Sequence, residues 1–261
     1  MTDQLSGGEV REIRMRTVLV FFLSCSLLRA DSGSELKSTL ARLTGREPVK
    51  ARVELDISSG DTDAVKPAGA IGTVTAAVED GPEGMKILWN RAVMTTADEE
   101  HRAQIRNPEA KTPTRRAMDG LSASRLSDYL DAAPELLRTL DEAVFVEEKA
   151  ETWEGQPARL LAFKLTPRMD ERTRKMIKEL DATVRIWIGA DGFPLAAERR
   201  MQLKGRAYLV ISFESTESEE FHFKHIGDRL VVVRHVKESS GSGGGQNNHQ
   251  KTIANLTLAE G

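Results

Sequence analysis

Five histidines, His101, His222, His225, His235 and His249, are the side chains of this chain best suited to hold a metal or move a proton. His222 and His225 fall on opposite faces if their strand is regular. A tight turn at Gly227-Asp228 puts His222 opposite Val233, with His235 a diagonal neighbour on the same face. Two imidazoles without a third ligand make a poor metal site, so no cofactor is expected and the histidines read as exposed or core-rim residues. The carboxylate pairs Glu99-Glu100, Glu147-Glu148 and Glu219-Glu220 are adjacent in sequence. Neighbours on a strand point apart, so these pairs read as solvated faces rather than acid/base machinery. There is no G-x-S-x-G, P-loop, G-x-G-x-x-G or H-E-x-x-H. The tract Gly241-Ser-Gly-Gly-Gly245 lacks the Lys-Ser/Thr that grips phosphate and precedes no helix, so Ser239 to Gly245 reads as a flexible loop. The residues therefore do not spell out an enzyme.

Charge excludes other classes. Lys and Arg number 37 against 40 Asp and Glu, a net charge of -3. That gives no basic stripe for nucleic acid and little drive to an anionic membrane. The densest positive cluster is Arg168, Arg172, Arg174, Lys175 and Lys178, blunted by Asp170, Glu171 and Glu179. It reads as a solvated helix, with docking to an acidic partner or lipid headgroups as the sharper alternative. The apolar chemistry is more suggestive. Trp89, Phe163, Trp187, Phe213 and Phe223 are large apolar side chains on strands. Core packing is their default role. The alternative is that they line a ligand cavity, because a curved sheet has a concave face that helices or a ligand must fill.

The elements that must position these residues begin after a leader. Arg11, Arg14 and Arg16 precede the apolar run Thr17 to Leu28, about twelve residues, the length of a signal-peptide core and short of the ~20 that span a bilayer. Residues 1–30 therefore read as a signal peptide with upstream residues, translation starting at Met15 and cleavage falling near Ala30 or Ser26. The expected location is periplasmic. Cys25, the only cysteine, lies in a degenerate lipobox and offers the alternative of a membrane-anchored lipoprotein.

Residues 31–261 read as one domain. Ser32 and Glu35 form an S-x-x-E capping box, and Leu36, Leu40 and Leu43 share one helical face that ends at Gly45 and Pro48. Val49 to Ile57 alternates perfectly, apolar on one face and charged on the other. Strands follow at Ile71–Glu79 and Met85–Trp89. The polar stretch Ala97 to Gly120 reads as a loop with one short helix. Leu121 to Leu140 reads as two helices, Pro134 opening the second and Leu126, Leu130, Leu137 and Leu140 facing inward. Strands return at Val144–Thr152 and Ala158–Leu165, then a charged helix Asp170–Leu180 capped by Asp170. Five short strands are expected after it: Thr183–Ile188, Leu195–Leu203, Ala207–Glu214, Glu219–Ile226 and Arg229–Val236, with Ile253–Leu258 as a last edge strand. The pattern predicts an α+β fold with a single curved antiparallel sheet.

The leader, the capped helix, the strand Val49 to Ile57, the mid-chain helices and Val184-Arg-Ile-Trp-Ile-Gly-Ala-Asp-Gly-Phe-Pro-Leu195 together resemble the LolA/LolB/RseB-like superfamily of periplasmic proteins. The resemblance implies an incomplete β-barrel whose concave face is capped by a few helices. It also implies a non-enzymatic protein, monomeric, that binds a hydrophobic ligand, an acyl chain or a lipoprotein. An envelope protein-interaction or regulatory module, as in RseB, is the alternative. Arg52 is the candidate for that family's lid arginine.

Overall fold

The structure is a computed structural model, and it describes residues 32–60, 69–207, 211–244 and 246–259. The leader and Cys25 lie outside the described residues. Three strands come first after helix α1 (Ser32–Ala41): β1 (Val49–Gly60), β2 (Gly69–Asp80) and β3 (Lys86–Trp89). Four helices follow without interruption: α2 (Arg91–Arg106), α3 (Pro113–Gly120), α4 (Ala123–Leu130) and α5 (Ala133–Asp141). The rest is strand apart from one short helix: β4 (Ala143–Trp153), β5 (Gln156–Leu165), α6 (Glu171–Met176), β6 (Ile177–Ile188), β7 (Pro194–Ala207), β8 (Ile211–Ile226), β9 (Arg229–Gly243) and β10 (Gln246–Leu258).

All ten strands belong to one antiparallel sheet in the order β3-β2-β1-β10-β9-β8-β7-β6-β5-β4. It is curved and does not close, so the α+β incomplete-barrel expectation holds. The order dictates where the helices go. β3 lies at one edge and β4 at the other, and residues 90–142 connect them. The connection must cross one face of the sheet, and its helices cap the concave side. Val53, Leu55 and Val78 pack there under Leu126, Leu130 and Leu140, all fully buried. The β1 alternation is realised, with Val49, Ala51, Val53, Leu55 and Ile57 buried between exposed neighbours. Pro134 sits in the first turn of α5, as its fixed φ favours.

Several expected elements are corrected. Residues 97–120 hold most of one long helix and all of another. Asn90 caps α2, its side chain accepting from the Val93 N–H at 2.8 Å. No residue of α2 is buried, so it carries no apolar stripe to read. Ser32 is the first described residue of α1, its hydroxyl donating to Glu148 at 2.5 Å, and Glu35 pairs with Arg159 at 3.2 Å. Asp170 does cap a helix, accepting from the Thr173 N–H, but α6 stops at Met176 and β6 begins at once.

The breaks expected between the short strands, at Lys204–Arg206 and Ser215–Ser218, do not exist. β7 and β8 run straight through them, and β9 runs through the serine-glycine tract to Gly243. These outer halves are largely open to solvent, so polar residues occupy positions that elsewhere on the strands are buried. β10 is no edge strand. It lies between β1 and β9 and ties the first strands to the meander.

The hairpin tip between β8 and β9 locks the N-terminal loop. Asp228 accepts from the Thr44 hydroxyl and from the backbone N–H groups of Arg46 and Glu47, the latter two at 3.0 and 2.9 Å. Buried Arg229 donates to the Glu47 carbonyl and pairs with Asp80 at 2.8 Å. α3 reaches β2 by a different device. A Cβ added to Gly72 would lie 2.1 Å from the Pro113 carbonyl oxygen and 2.8 Å from its carbon, so only a bare backbone admits the helix there. Gly72→Ala is therefore expected to cost about 1–3 kcal/mol, the usual scale of overpacking. Urea unfolding checks it, and an unchanged midpoint would contradict the contact.

Candidate functional site

The inner face of the sheet is organised in cross-strand rows. One row runs Leu161, Ile186, Ala197, Phe221, His235, Ala254, Leu55 and Val74, from β5 across to β2. It is apolar except for His235. The next row runs Phe163, Val184, Arg199, Glu219, Lys237, Thr252 and Ile57. Its centre is charged. Glu219, only 7% exposed, holds Arg199 at 2.5 Å and Lys237 at 2.9 Å, and Glu217 adds contacts to both at 3.6 and 2.8 Å. Two cations and two carboxylates thus cancel where the helix-covered sheet gives way to its barer extension.

A cavity of about 260 Å³ lies at this border, between α4–α5 and strands β6 to β9. Val184, Ala197, Phe221, Phe223 and Val232 form much of its floor, with Tyr129, Ala132 and Leu136 above. Arg125, Arg138, Asp128 and Glu135 sit on the helix side. Arg138 is held by Glu135 at 2.6 Å and by Asp128 at 3.9 Å. Arg125 makes no ion pair among the described residues, and its positive charge opposes the effect of burial on the Tyr129 phenol. A larger hollow of about 640 Å³, over the extension, is lined mostly by charged and hydroxyl side chains such as Asp181, Glu217, Ser218 and Glu238. Met201 and Val236 are its apolar side chains.

Tyr129 and His235 meet inside the first cavity, the phenol oxygen 2.8 Å from Nδ1. Phe221 stacks flat on the imidazole at 4.4 Å between centroids. Burial raises the Tyr129 pKa to about 12, against a partial opposing pull from Arg125, so the phenol stays protonated. Burial also pushes His235 down to about 4, more strongly than nearby Glu219 can draw it up, so the ring is neutral at pH 7. Burial would raise Glu219, but Arg199 and Lys237 outweigh it and keep the carboxylate ionised.

The residues singled out from sequence separate. Phe163 and Phe223 are in the main core, Phe223 at the cavity floor. Trp89 is half-buried at the β3 end of the same core, away from the cavity. Trp187 lies in a separate cluster with Ala158, Leu160 and Ala196. There it stacks near Trp153 at 4.5 Å, lies under Arg185 at 4.9 Å and donates its indole N–H to Glu151. Phe213 covers Gly205 far along β8. A Cβ on Gly205 would meet its ring at 2.3 Å and the Met176 carbonyl at 2.5 Å, so the phenyl group replaces a missing side chain in the sheet. Arg52 is on the exposed face of β1 and pairs with Glu54, away from the cavity. Three of the six thus belong to the main core, Trp89 at its margin, and Phe223 alone of them lines the cavity.

The histidine register is corrected too. A bulge between His222 and Phe223 pairs His222 with Arg234 and Phe221 with His235, so the two histidines take opposite faces. His222 contacts Trp153 and Glu220, and His235 is buried under the helices. Among the described residues no three His, Cys, Asp or Glu side chains are grouped as metal ligands, and no helix is long and apolar enough to cross a membrane. Sequence reading missed Arg125, Tyr129, Arg199 and Lys237, and it read Glu219 as part of a solvated face, whereas Glu219 points inward on β8 and is buried between Arg199 and Lys237. The signal for three of them was a polar residue at an inward position on β7, β8 and β9. No protein-family model and no curated protein matches the chain.

His235 makes stability depend on pH. Its folded pKa of about 4 lies below the ordinary 6.5, so the unfolded chain binds more protons between those values and acid favours unfolding. The loss begins as pH falls through about 6.5 and is complete below about 4, on the order of 3 kcal/mol. Urea unfolding at pH 7, 5.5 and 4 should show it, and His235→Phe should flatten the profile above pH 4.5, where carboxylates contribute little. Parallel profiles would contradict it.

Proposed function

We propose that this protein is a non-enzymatic binding module that shelters one acyl chain or similarly slender apolar ligand between α4–α5 and the sheet. The observation that carries the reading is the 260 Å³ cavity with an apolar floor and charged side chains at its helix side. At roughly 30 Å³ per water-sized group it takes about eight or nine methylenes, one medium chain. Burial at ~0.8 kcal/mol per CH₂ gives roughly 6 kcal/mol, a Kd on the order of 10–100 μM without any head-group contact. The groups inside suit holding better than catalysis: a phenol that stays protonated, a neutral imidazole and a carboxylate shared by two cations. The leader-like run Thr17 to Leu28 supports action outside the cytoplasm, in the envelope, and fits the LolA/LolB/RseB-like resemblance.

Ala197→Phe fills the floor without adding a polar group. Calorimetry with decanoate is expected to show binding to the wild type and a loss of about tenfold or more in the variant, with the melting temperature held or raised. Equal affinity in both would place the ligand elsewhere, and no binding to the wild type would end the acyl-chain reading.

A further inference from the structure

The two ends of the sheet differ as pairing edges. β3 offers only Lys86–Trp89, and α2 begins almost at once at Arg91. β4 is 11 residues long and, among the described residues, pairs with β5 alone. A bulge between Phe145 and Glu147 interrupts its first part, and the run from Glu147 to Trp153 is regular. Lys149, Ala150, Glu151 and Thr152 are exposed. Unpaired backbone groups along such an edge are a template for another strand.

The hairpin turn fixes which groups those are. Trp153 pairs with Gln156 across Glu154-Gly155, whose φ values of 48° and 80° are those of a two-residue hairpin loop. Trp153 therefore exchanges both backbone hydrogen bonds with Gln156, and by alternation Glu151, Lys149 and Glu147 do so with their partners on β5. The N–H and C=O groups of Glu148, Ala150 and Thr152 point to the open side. Lys149 and Glu151 share the outer face with Trp187. Glu147 holds Lys149 at 2.7 Å, and the Trp187 indole N–H donates to Glu151 at 2.6 Å and orients it.

A strand that pairs antiparallel with its own copy has few registers. Centred on Glu147, Glu148, Lys149 or Glu151, β4 sets a charge against the same charge, which is unfavourable. Centred on Thr152, it runs into the Glu154-Gly155 turn. Centred on Ala150, it sets Ala150 against the partner's Ala150, Glu148 against the partner's Thr152, and Lys149 against the partner's Glu151 on each side of the axis. The lysine and glutamate then form a non-hydrogen-bonded pair, in which side chains lie closest, and their opposite charges attract.

We propose that this protein forms a twofold dimer, in place of the monomer that the family resemblance implies, by pairing β4 with β4 of a second copy in the register centred on Ala150. The two sheets join edge to edge on backbone hydrogen bonds and the reciprocal Lys149–Glu151 pairs. The cavity is floored by β6 to β9 and not by β4, so the proposal does not rest on the acyl-chain reading.

Sedimentation equilibrium of the full chain, from micromolar to millimolar concentration, should show a reversible dimer. Ala150→Pro removes an N–H that faces the second copy and none that faces β5, the kind of edge position where proline is tolerated. It should weaken the dimer about tenfold or more, because the symmetry removes the bond twice. Lys149→Glu changes only an exposed side chain and should also weaken it, because the new charge faces the partner's Glu151. Glu151→Lys should do the same. An equimolar mixture of these two charge variants, each folded by circular dichroism, should recover the dimer, since every charge again meets its opposite. A monomer at every concentration would overturn the proposal. So would a dimer that both Ala150→Pro and Lys149→Glu leave intact, or a mixture no tighter than its folded components. None of these readouts involves decanoate, so failure here leaves the acyl-chain reading as it stands.

Discussion

The connection from β3 to β4 governs the molecule. These strands are the two ends of a ten-stranded sheet, so residues 90–142 have to travel from one edge to the other. An extended chain over an apolar sheet would bury unpaired backbone groups, and helices satisfy theirs internally. The crossing is therefore helical, and it decides which face of every strand is dry. Leu126, Leu130, Leu136 and Leu140 form the underside of the crossing, and the alternating strands present Val53, Leu55 and Val78 to meet them. The curvature of the sheet follows the same logic, because a bent sheet wraps the short helices on its concave side.

The crossing does not cover everything. Strands β7 to β9 are 14 to 16 residues long, longer than α4 and α5 can roof. Some row must separate the covered sheet from the bare one, and the row holding Arg199, Glu219 and Lys237 does this. Charges placed so deeply are rarely a net gain in stability, and losing one partner leaves the others exposed to the full desolvation penalty. Their evident effect is to fix register. A slip of one residue on β8 that put Ser218 in place of Glu219 would send Glu219 to the outer face and strand Arg199 and Lys237 on the inner one. Beyond that row β9 is rich in serine and glycine and holds little register information of its own.

Legibility in the sequence followed burial. β1 was readable because one of its faces is fully dry and the other fully wet, and α4–α5 because leucines recur on one side and Pro134 marks a first turn. α2 was not readable by period, since a helix with no buried residue has no stripe; only its Asn90 cap and its run of good helix formers announce it. The outer halves of β7, β8 and β9 looked like turns for the same reason. Their serines, glycines and glutamates are strand residues held by neighbouring strands, and Gly205 is tolerated because Phe213 lies over it. The cavity was the least legible part. A single bulge at His222/Phe223 moved His235 inward by changing the pairing by one, and bulges leave no reliable trace in composition.

The cavity's position follows from these two boundaries together. It sits where the helical roof ends and where the inner face changes from the apolar row to the charged one. A purely apolar hollow under the centre of the helices would be filled by side chains, as the leucines there show. A hollow over the bare extension would be flooded by water. At the border, Phe223, Val232 and Leu136 share the lining with groups that hydrogen-bond. The position at the border accounts for that mixed lining. It also explains why the polar partners there, Tyr129 on a helix and His235 on a strand, come from the two layers whose separation creates the space.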